Sequence, residues 1–245
     1  MPLQMPGATL MTRLKVYDTE TPDGQMGGTP HIHLVCTEMY VVLSGCGAVE
    51  MIDKNGFSRV ELKQHDSLLF SPGTIHRLIN PNRDMEILVI MQNSGLPERG
   101  DNVVTFSEEH LMTDEAYSAA MSVTTVEDAY QRRNRGVEGF LKLKAAFDES
   151  LAVGQSELET FYDYARARTV NRQEQWRGIV ENGAISAAND SLSQIDNLQQ
   201  GNTAYLMDTE QALIRSDAES KLGFCGHLNR YFDPATLLPE GQPVK

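Results

Sequence analysis

The fold is decided by two stretches of the sequence, GTPHIHLVCTEMYVVLSG at residues 28–45 and SPGTIHRLIN at residues 71–80. In the first stretch, His31 and His33 are two residues apart, so on a β-strand both imidazoles lie on the same face. Glu38 follows at an odd separation, which would put it on the opposite face of one continuous strand. A bend just before Glu38 would instead place it on the next strand, facing back toward the histidines.

The second stretch adds one more imidazole to this set. His76 follows the Pro72-Gly73 turn and begins another predicted strand. Three imidazoles and one carboxylate suit a borderline divalent cation such as Zn, Fe, Mn, Ni or Co. We therefore predict one divalent metal ion, with coordination positions left open for water or substrate, and the predicted ligands are His31, His33, Glu38 and His76.

Outward from these stretches, the chain up to residue 106 consists of short β runs separated by turn residues. The predicted strands cover residues 39–43, 48–52, 57–62, 67–70, 75–79 and 86–91. Asp53-Lys54-Asn55-Gly56 between two of them is a strong hairpin signal. The runs are too closely spaced for crossover helices, so the pattern predicts an antiparallel sandwich or barrel.

The pattern changes to a helical period after residue 106. One predicted helix face carries Val137, Phe140, Leu141, Phe147 and Leu151, and a second carries Leu158, Phe161, Tyr162, Ala165 and Thr169. The polar stretch 182–201 fits either a solvated helix or a connector. The chain thus divides into a β-barrel at residues 1–106 and a mostly helical extension at residues 107–245, with an irregular tail expected from residue 223.

Composition restricts the partners. The 245 residues carry 21 Lys and Arg against 34 Asp and Glu, a net charge of −13 that repels nucleic acid and anionic membrane surfaces. No apolar run approaches the roughly 20 residues of a membrane span. The three cysteines lack metal-finger spacing, and the N-terminus shows no signal peptide, so we expect a cytoplasmic protein.

The order of these residues resembles the two motifs of the cupin superfamily, G-x5-H-x-H-x3-4-E-x6-G and G-x5-P-x-G-x2-H-x3-N. The matching positions are His31, His33, Glu38, Gly45, Gly73, His76 and Asn80, while Pro72 stands one place later than the motif's proline. The resemblance implies a mainly β fold with added α structure: a single cupin (jelly-roll) β-barrel, followed here by the helical extension. It also implies a homodimer, because cupins commonly pair exposed strands.

Within the superfamily, the chain is locally similar to the cupin domain of bacterial mannose-6-phosphate isomerases. The similar segments are residues 73–81, 85–95 and 100–106, although Thr105 stands where that family has arginine. This resemblance implies isomerase chemistry on a sugar or sugar phosphate.

We therefore favour a metal-dependent enzyme, isomerase-like or epimerase-like, acting on a sugar-like or other polar oxygenated small molecule. The alternatives are an Fe(II)-dependent dioxygenase and a non-catalytic metabolite-binding protein. Candidate catalytic side chains are Tyr40, Glu50 and Gln92, because a polar residue on a barrel strand can line the cavity.

Three further segments have a favoured interpretation. Strand alternation points Arg77 out of the barrel, toward a surface or interface. The basic run 132–135 is interpreted as a solvated helix end. The cluster Gly223-Phe224-Cys225-Gly226-His227 is interpreted as an ordinary turn packed by Phe224, with the alternative that the tail folds over the barrel mouth and adds polar groups to the site.

Overall fold

The structure, a computed structural model, describes residues 5–231. Its strands are β1 (Leu10–Val16), β2 (His31–His33), β3 (Glu38–Ser44), β4 (Cys46–Asp53), β5 (Gly56–Lys63), β6 (Ser67–Phe70), β7 (Ile75–Ile79), β8 (Glu86–Met91), β9 (Asn102–Val104), β10 (Lys221–Leu222) and β11 (Gly226–Arg230). They form two antiparallel sheets, ordered β10-β11-β1-β8-β3-β6 and β5-β4-β7-β2-β9. The predicted jelly-roll barrel is confirmed, and each of the six strands predicted from turn spacing is present.

Local sequence explains the regular strands. β1 alternates between buried and more exposed residues, as a strand with one face on a core must. The hairpin between β4 and β5 turns at Asp53-Lys54-Asn55-Gly56, where the Asp53 carboxylate accepts the Asn55 N–H at 2.7 Å and Gly56 has a φ of +106°. These features fix the register of the longest strand pair.

Two apolar cores lie on opposite faces of the five-stranded sheet. Between the sheets, Val42, Val49, Leu78 and Ile87 belong to the barrel core. On the outer face, apolar strand residues pack against the helices, and this second core includes Ile32, Ile52, Ile75, Val103, Phe140 and Phe161. The helical part therefore covers a sheet face that would otherwise be apolar and exposed to water.

The helical part confirms the predicted change of period. Its α-helices within the described residues are α1 (Glu108–Leu111), α2 (Asp114–Met121), α3 (Val126–Glu149), α4 (Leu151–Thr169), α5 (Gln173–Val180) and α6 (Ser186–Gln199). A π-helical turn at 181–185 joins the last two, so the polar stretch left open by the sequence is a helix. α3 begins with a capping box in which Thr125 and Asp128 exchange hydrogen bonds. No helix of residues 5–231 is long and apolar enough to cross a membrane.

The expectation of an irregular tail is wrong for Gly226–Arg230. This segment forms β11 and pairs antiparallel along β1, with Leu14 opposite Leu228. The physical reason is that the edge of β1 away from β8 presents backbone donors and acceptors that need a partner. The rest of the predicted tail, residues 232–245, lies outside the described residues.

The basic run at 132–135 is not a solvated helix end. Arg132 and Arg133 are buried on α3, at 6% and 1% exposure. Arg133 donates to the backbone oxygens of Thr19, Glu20 and Gly27 and so ties the helix to the segment before β2. A run of adjacent charges predicts a solvent-facing helix end, but this part of α3 lies between two other segments. Arg132 contacts Gly223 on one side, and Arg133 contacts Thr19 and Glu20 on the other.

Replacing Gly139 with alanine should loosen the contact between α3 and the barrel. A Cβ at Gly139 would lie 1.9 Å from the backbone oxygen of Thr105, so the helix would have to shift. We expect a loss of about 1–3 kcal/mol in the free energy of unfolding, typical of overpacking, measured by urea denaturation.

The matched control is Gly178→Ala in α5, where an added Cβ meets nothing within 4 Å. This variant should be more stable by about 0.5–1 kcal/mol, because alanine is the better helix former. Equal stability of the two variants would contradict the close packing of α3 on the barrel.

Candidate metal centre

Three histidines meet on the inner face of the five-stranded sheet. His31 and His33 flank the outward-facing Ile32 on β2, and His76 of β7 lies directly opposite His31 in the strand register. The His31 and His76 ring centroids are 4.4 Å apart. The two-residue spacing in the sequence and the pairing of the strands thus bring all three imidazoles to one place, as predicted.

Glu38 comes from the opposite sheet. The chain bends after β2 and continues as β3, so the Glu38 carboxylate faces back toward the imidazoles, which confirms the predicted bend. Its Oε2 lies 3.4 Å from Nε2 of His33 and 3.1 Å from Nε2 of His76.

Asp101 holds this bend in place. Its carboxylate accepts the backbone N–H groups of Leu34, Val35 and Cys36 at 2.8–3.1 Å. The same carboxylate accepts the Nδ1–H of His33 at 3.2 Å. Burial would raise the pKa of Asp101, but these hydrogen bonds outweigh burial and lower it, so the carboxylate is ionised.

Each imidazole is oriented through its Nδ1 atom. The partners are the backbone oxygen of Thr29 for His31, Asp101 for His33 and the backbone oxygen of Thr74 for His76. A carbonyl or ionised carboxylate oxygen only accepts, so in the neutral form of each ring the proton sits on Nδ1 and the Nε2 lone pair points at the cluster.

The cluster fits a metal ion. One ligand atom from each of the four residues lies within 4.8 Å of all the others, and all four residues are buried. Glu38 Oε2 and His76 Nε2 are buried 3.1 Å apart, but with the His76 proton on Nδ1 both atoms are acceptors. Neither has a hydrogen-bond partner within residues 5–231, which is costly unless another group binds them. His31, His33, Glu38 and His76 therefore form a buried cluster that could hold a metal ion.

The protonation states of Glu38 and His31 also fit. Burial would raise the pKa of Glu38, but the neighbouring His76 and His33 outweigh it and lower that pKa. Burial and the two other imidazoles lower the pKa of His31 well below its usual range. An ionised carboxylate and a neutral imidazole are the forms that ligate metals.

A cavity of about 820 Å³ opens from the cluster. Tyr40 lines it, two residues along β3 from Glu38, so this sequence candidate does lie at the site. Burial and the Glu38 carboxylate raise the pKa of its phenol well above the ordinary value, so Tyr40 keeps its proton.

The other two catalytic candidates are not brought to the site. Glu50 points to the outer face of its sheet, where it pairs with Arg77 at 2.7 Å and with Arg59 at 3.1 Å. Gln92 is exposed and contacts the Thr37 backbone. Neither lines the cavity.

Arg77 is also placed differently from expectation. It faces away from the cluster, as alternation predicted, but it is only 2% exposed because α3 covers that face. Its guanidinium lies 5.0 Å from the centre of the Phe140 ring and pairs with Glu50 and Asp23. The expected surface position is therefore wrong.

The segment at 223–227 reaches the site, contrary to the favoured interpretation. The Phe224 ring lies 5.0 Å from the His31 ring, and Cys225 lines the same cavity. His227 instead contacts Tyr17, at 5.5 Å between ring centroids. The alternative, in which the tail folds over the barrel mouth, is closer to the structure. The segment contributes an aromatic ring and a thiol to the cavity, however, and not the polar groups that this alternative predicted.

Sequence reasoning missed several ionisable residues of the cavity, among them Glu98, Tyr117 and Arg132. Glu98 follows Pro97 in a short 3₁₀ turn between β8 and β9, and Tyr117 and Arg132 belong to α2 and α3. None belongs to a motif, and the packing of α2 and α3 on the barrel is what brings Tyr117 and Arg132 to the cavity.

Comparison with known proteins agrees with this geometry. Residues 18–91 match the family model described as "Cupin domain". The barrel is therefore a cupin jelly roll, and the four-residue cluster lies inside it. A search of the curated proteins finds no match.

Several solved structures are similar to part of the chain. The plu4264 protein from Photorhabdus luminescens is 15% identical, with a TM-score of 0.29, over 37% of this chain and 66% of its own. A cupin protein from Bacteroides fragilis is 20% identical, with a TM-score of 0.26, over 34% and 63%. A TDP-fucose-3,4-ketoisomerase from Campylobacter jejuni is 15% identical, with a TM-score of 0.28, over 34% and 58%. In each case the match spans less than two thirds of the neighbour's length.

Removing one ligand should remove metal binding. Metal analysis of the purified protein is expected to give one divalent ion per chain, and His76→Ala should lose it. The affinity should fall by more than the roughly 10–100-fold that losing an outer partner costs. Wild-type metal content in a folded His76→Ala variant would contradict the site.

Asp101→Asn should weaken metal binding without removing a ligand. An amide nitrogen would face backbone donors, so we expect about 10–100-fold lower affinity and a loss of about 1–3 kcal/mol in stability. The control is Asp66→Asn, which changes a turn carboxylate that accepts the Lys63 N–H away from the cavity. Equal metal affinity of the two variants would show that Asp101 does not position His33.

Proposed function

We propose that this protein is a metal-dependent cupin enzyme, isomerase-like or epimerase-like, acting on a polar oxygenated small molecule. One observation carries the proposal: three of the four candidate ligands, His31, His33 and Glu38, line a cavity of about 820 Å³ together with ionisable side chains that are not ligands. A site built only to bind a metal would need no such cavity.

A divalent metal, when bound, supplies a Lewis acid for a carbonyl or hydroxyl oxygen of the substrate. The protein supplies the rest. Asp101 and the backbone oxygens of Thr29 and Thr74 hold the three imidazoles in one orientation. Tyr40 is buried beside Glu38 and keeps its proton, and its phenol interacts with the Glu38 carboxylate and so helps to hold that candidate ligand in place.

Glu98 is the side chain best suited to move a proton. It lines the cavity, and its Oε2 is buried without a hydrogen-bond partner among residues 5–231. Burial raises the pKa of this carboxyl above its ordinary value. A carboxylate whose pKa is shifted toward neutral is a more effective base for a carbon-bound proton next to a carbonyl.

The test is deuterium incorporation from D2O into aldoses, ketoses, hydroxy acids and sugar phosphates, followed by proton NMR. Protein reconstituted with Zn, Fe, Mn, Ni or Co in turn should exchange a carbon-bound proton of one substrate class. Absence of exchange together with oxygen consumption in the Fe(II) form would replace the proposal with a dioxygenase. Binding of a metabolite without turnover would replace it with a binding protein.

Glu98→Gln should lower the exchange rate by about 10²–10⁴-fold, the usual contribution of a general base. Because the base must be ionised, wild-type exchange should rise with pH through the raised pKa of Glu98, and the variant should lose this rise. The control, Glu159→Gln, changes an exposed residue of α4 outside the cavity. Wild-type exchange in a folded, metal-loaded Glu98→Gln variant would exclude Glu98 as the base.

A further inference from the structure

Arg132 is a buried cation on the wall of the metal cavity. It belongs to α3 of the helical part, is 6% exposed, and lines the cavity together with the cluster residues of the barrel. Burying a guanidinium costs free energy unless hydrogen bonds or an opposite charge compensate.

The compensation within the protein is incomplete. One Arg132 nitrogen, Nη2, donates to the backbone oxygen of Gly223 at 2.6 Å, and the guanidinium carbon lies 4.6 Å from the centre of the Phe224 ring. Its Nε has no hydrogen-bond partner among residues 5–231. Burial lowers the pKa of Arg132, and the neighbouring groups that oppose this shift, Tyr17, Cys225 and Tyr117, include no carboxylate.

The neighbouring Arg133 shows what a structural arginine looks like in the same helix. It is also buried, but its guanidinium donates to three backbone oxygens and to the Thr19 hydroxyl. Arg133 faces the segment before β2, whereas Arg132 faces the cavity. A buried guanidinium on α3 can therefore find enough hydrogen-bond acceptors within the protein, so burial alone does not explain why Arg132 has so few.

The wall around Arg132 is rich in positive charge. The cationic residues that line the cavity are Arg99, Arg132, Arg172, Lys221 and Arg230, against two carboxylates, Glu38 and Glu98. Arg230 is paired with Asp217. This excess is opposite to the net charge of −13 for the whole chain.

We propose that Arg132 binds a carboxylate or phosphate group of the substrate while an oxygen at the other end of the same molecule reaches the metal centre. Phe224 is close to both groups, with its ring centre 5.0 Å from that of His31 and 4.6 Å from the Arg132 guanidinium carbon. The distance between the Arg132 guanidinium and the His31 ring therefore cannot exceed the sum of these two distances. A small carboxylated or phosphorylated molecule is long enough to bridge such a separation. The inference rests on the proposed function, and it gives the helical part a role in substrate binding.

The test measures anion binding to the metal-free full chain by calorimetry, with inorganic phosphate and succinate as separate probes. We expect saturable binding of at least one probe to the wild type. Arg132→Gln should weaken that binding at least tenfold, because the planar, charged donor is lost. Arg132→Lys should fall between the two, since it keeps the charge but not the two-pronged geometry.

The control is Arg166→Gln, which removes a 71% exposed arginine outside this cavity and should leave anion binding unchanged. Preference for phosphate would assign a phosphorylated substrate, and preference for succinate a carboxylated one. Binding of neither probe to the wild type, or equal binding by wild type and Arg132→Gln, would overturn the inference. If Arg132→Gln does not fold, as judged by its thermal transition, the comparison rests on Arg132→Lys, and equal binding by that variant would overturn it.

Metal titration in the same samples separates this inference from the proposed function. Arg132→Gln should bind the metal as the wild type does, because it contributes no ligand. Wild-type protein that binds metal and exchanges protons but binds neither anion would refute the role of Arg132 alone. Protein that binds the anions through Arg132 but binds no metal would refute the metal-dependent enzyme and leave the anion site standing.

Discussion

The site depends on one buried carboxylate. Asp101 binds three consecutive backbone N–H groups where the chain leaves β2, and it also binds Nδ1 of His33. Without this carboxylate, the Leu34 N–H would keep the backbone oxygen of Asp101 as an acceptor, but the buried Cys36 N–H would lose its acceptor, at a cost of about 1–3 kcal/mol. This bend takes the chain from β2 in one sheet to β3 in the other. The Asp101 carboxylate therefore has two roles: it orients His33, and it stabilises the bend that lets Glu38 face His33.

The helical part is not an independent appendage to the barrel. α3 and α4 cover the apolar outer face of the five-stranded sheet, and β11 extends the other sheet. Phe224 and Arg132 then contribute to the wall of the cavity. The chain therefore closes the barrel around its candidate metal cluster with residues that are distant in sequence, and stability and site geometry are coupled.

The sequence predicts the barrel and the four-residue cluster well because both follow from short-range rules. Strand alternation puts His31 and His33 on one face, and turn residues mark the strand ends. The role of Asp101 could not be predicted in this way, because Asp101 lies 68 residues from His33 in the sequence. The residues around an aspartate do not indicate that its carboxylate accepts hydrogen bonds from a distant bend.

The errors about Arg77 and the basic run share one physical cause. Alternation indicates correctly that Arg77 faces away from the cluster, but it does not show whether water or another layer of protein lies there, and Glu50, offered as a cavity-lining candidate, lies on the same outer face. Helices cover that face, so the two residues form a buried ion pair instead of a solvated or cavity-lining pair. The basic run on α3 was misjudged for the same reason: a charged residue usually faces water, and here tertiary packing overrides that tendency.

Net charge and local charge act on different partners. A charge of −13 repels a nucleic acid or an anionic membrane, because such a partner faces a protein surface that is much wider than the Debye length of about 8 Å and therefore meets charges from the whole of that surface. A small anion inside the cavity meets mainly the groups that line it, at short range and with less screening by salt. Arg132, buried and undersatisfied, is one of the cationic groups that contribute to that local field. An acidic chain is therefore compatible with a small anionic substrate, even though its net charge opposes the approach of large polyanions.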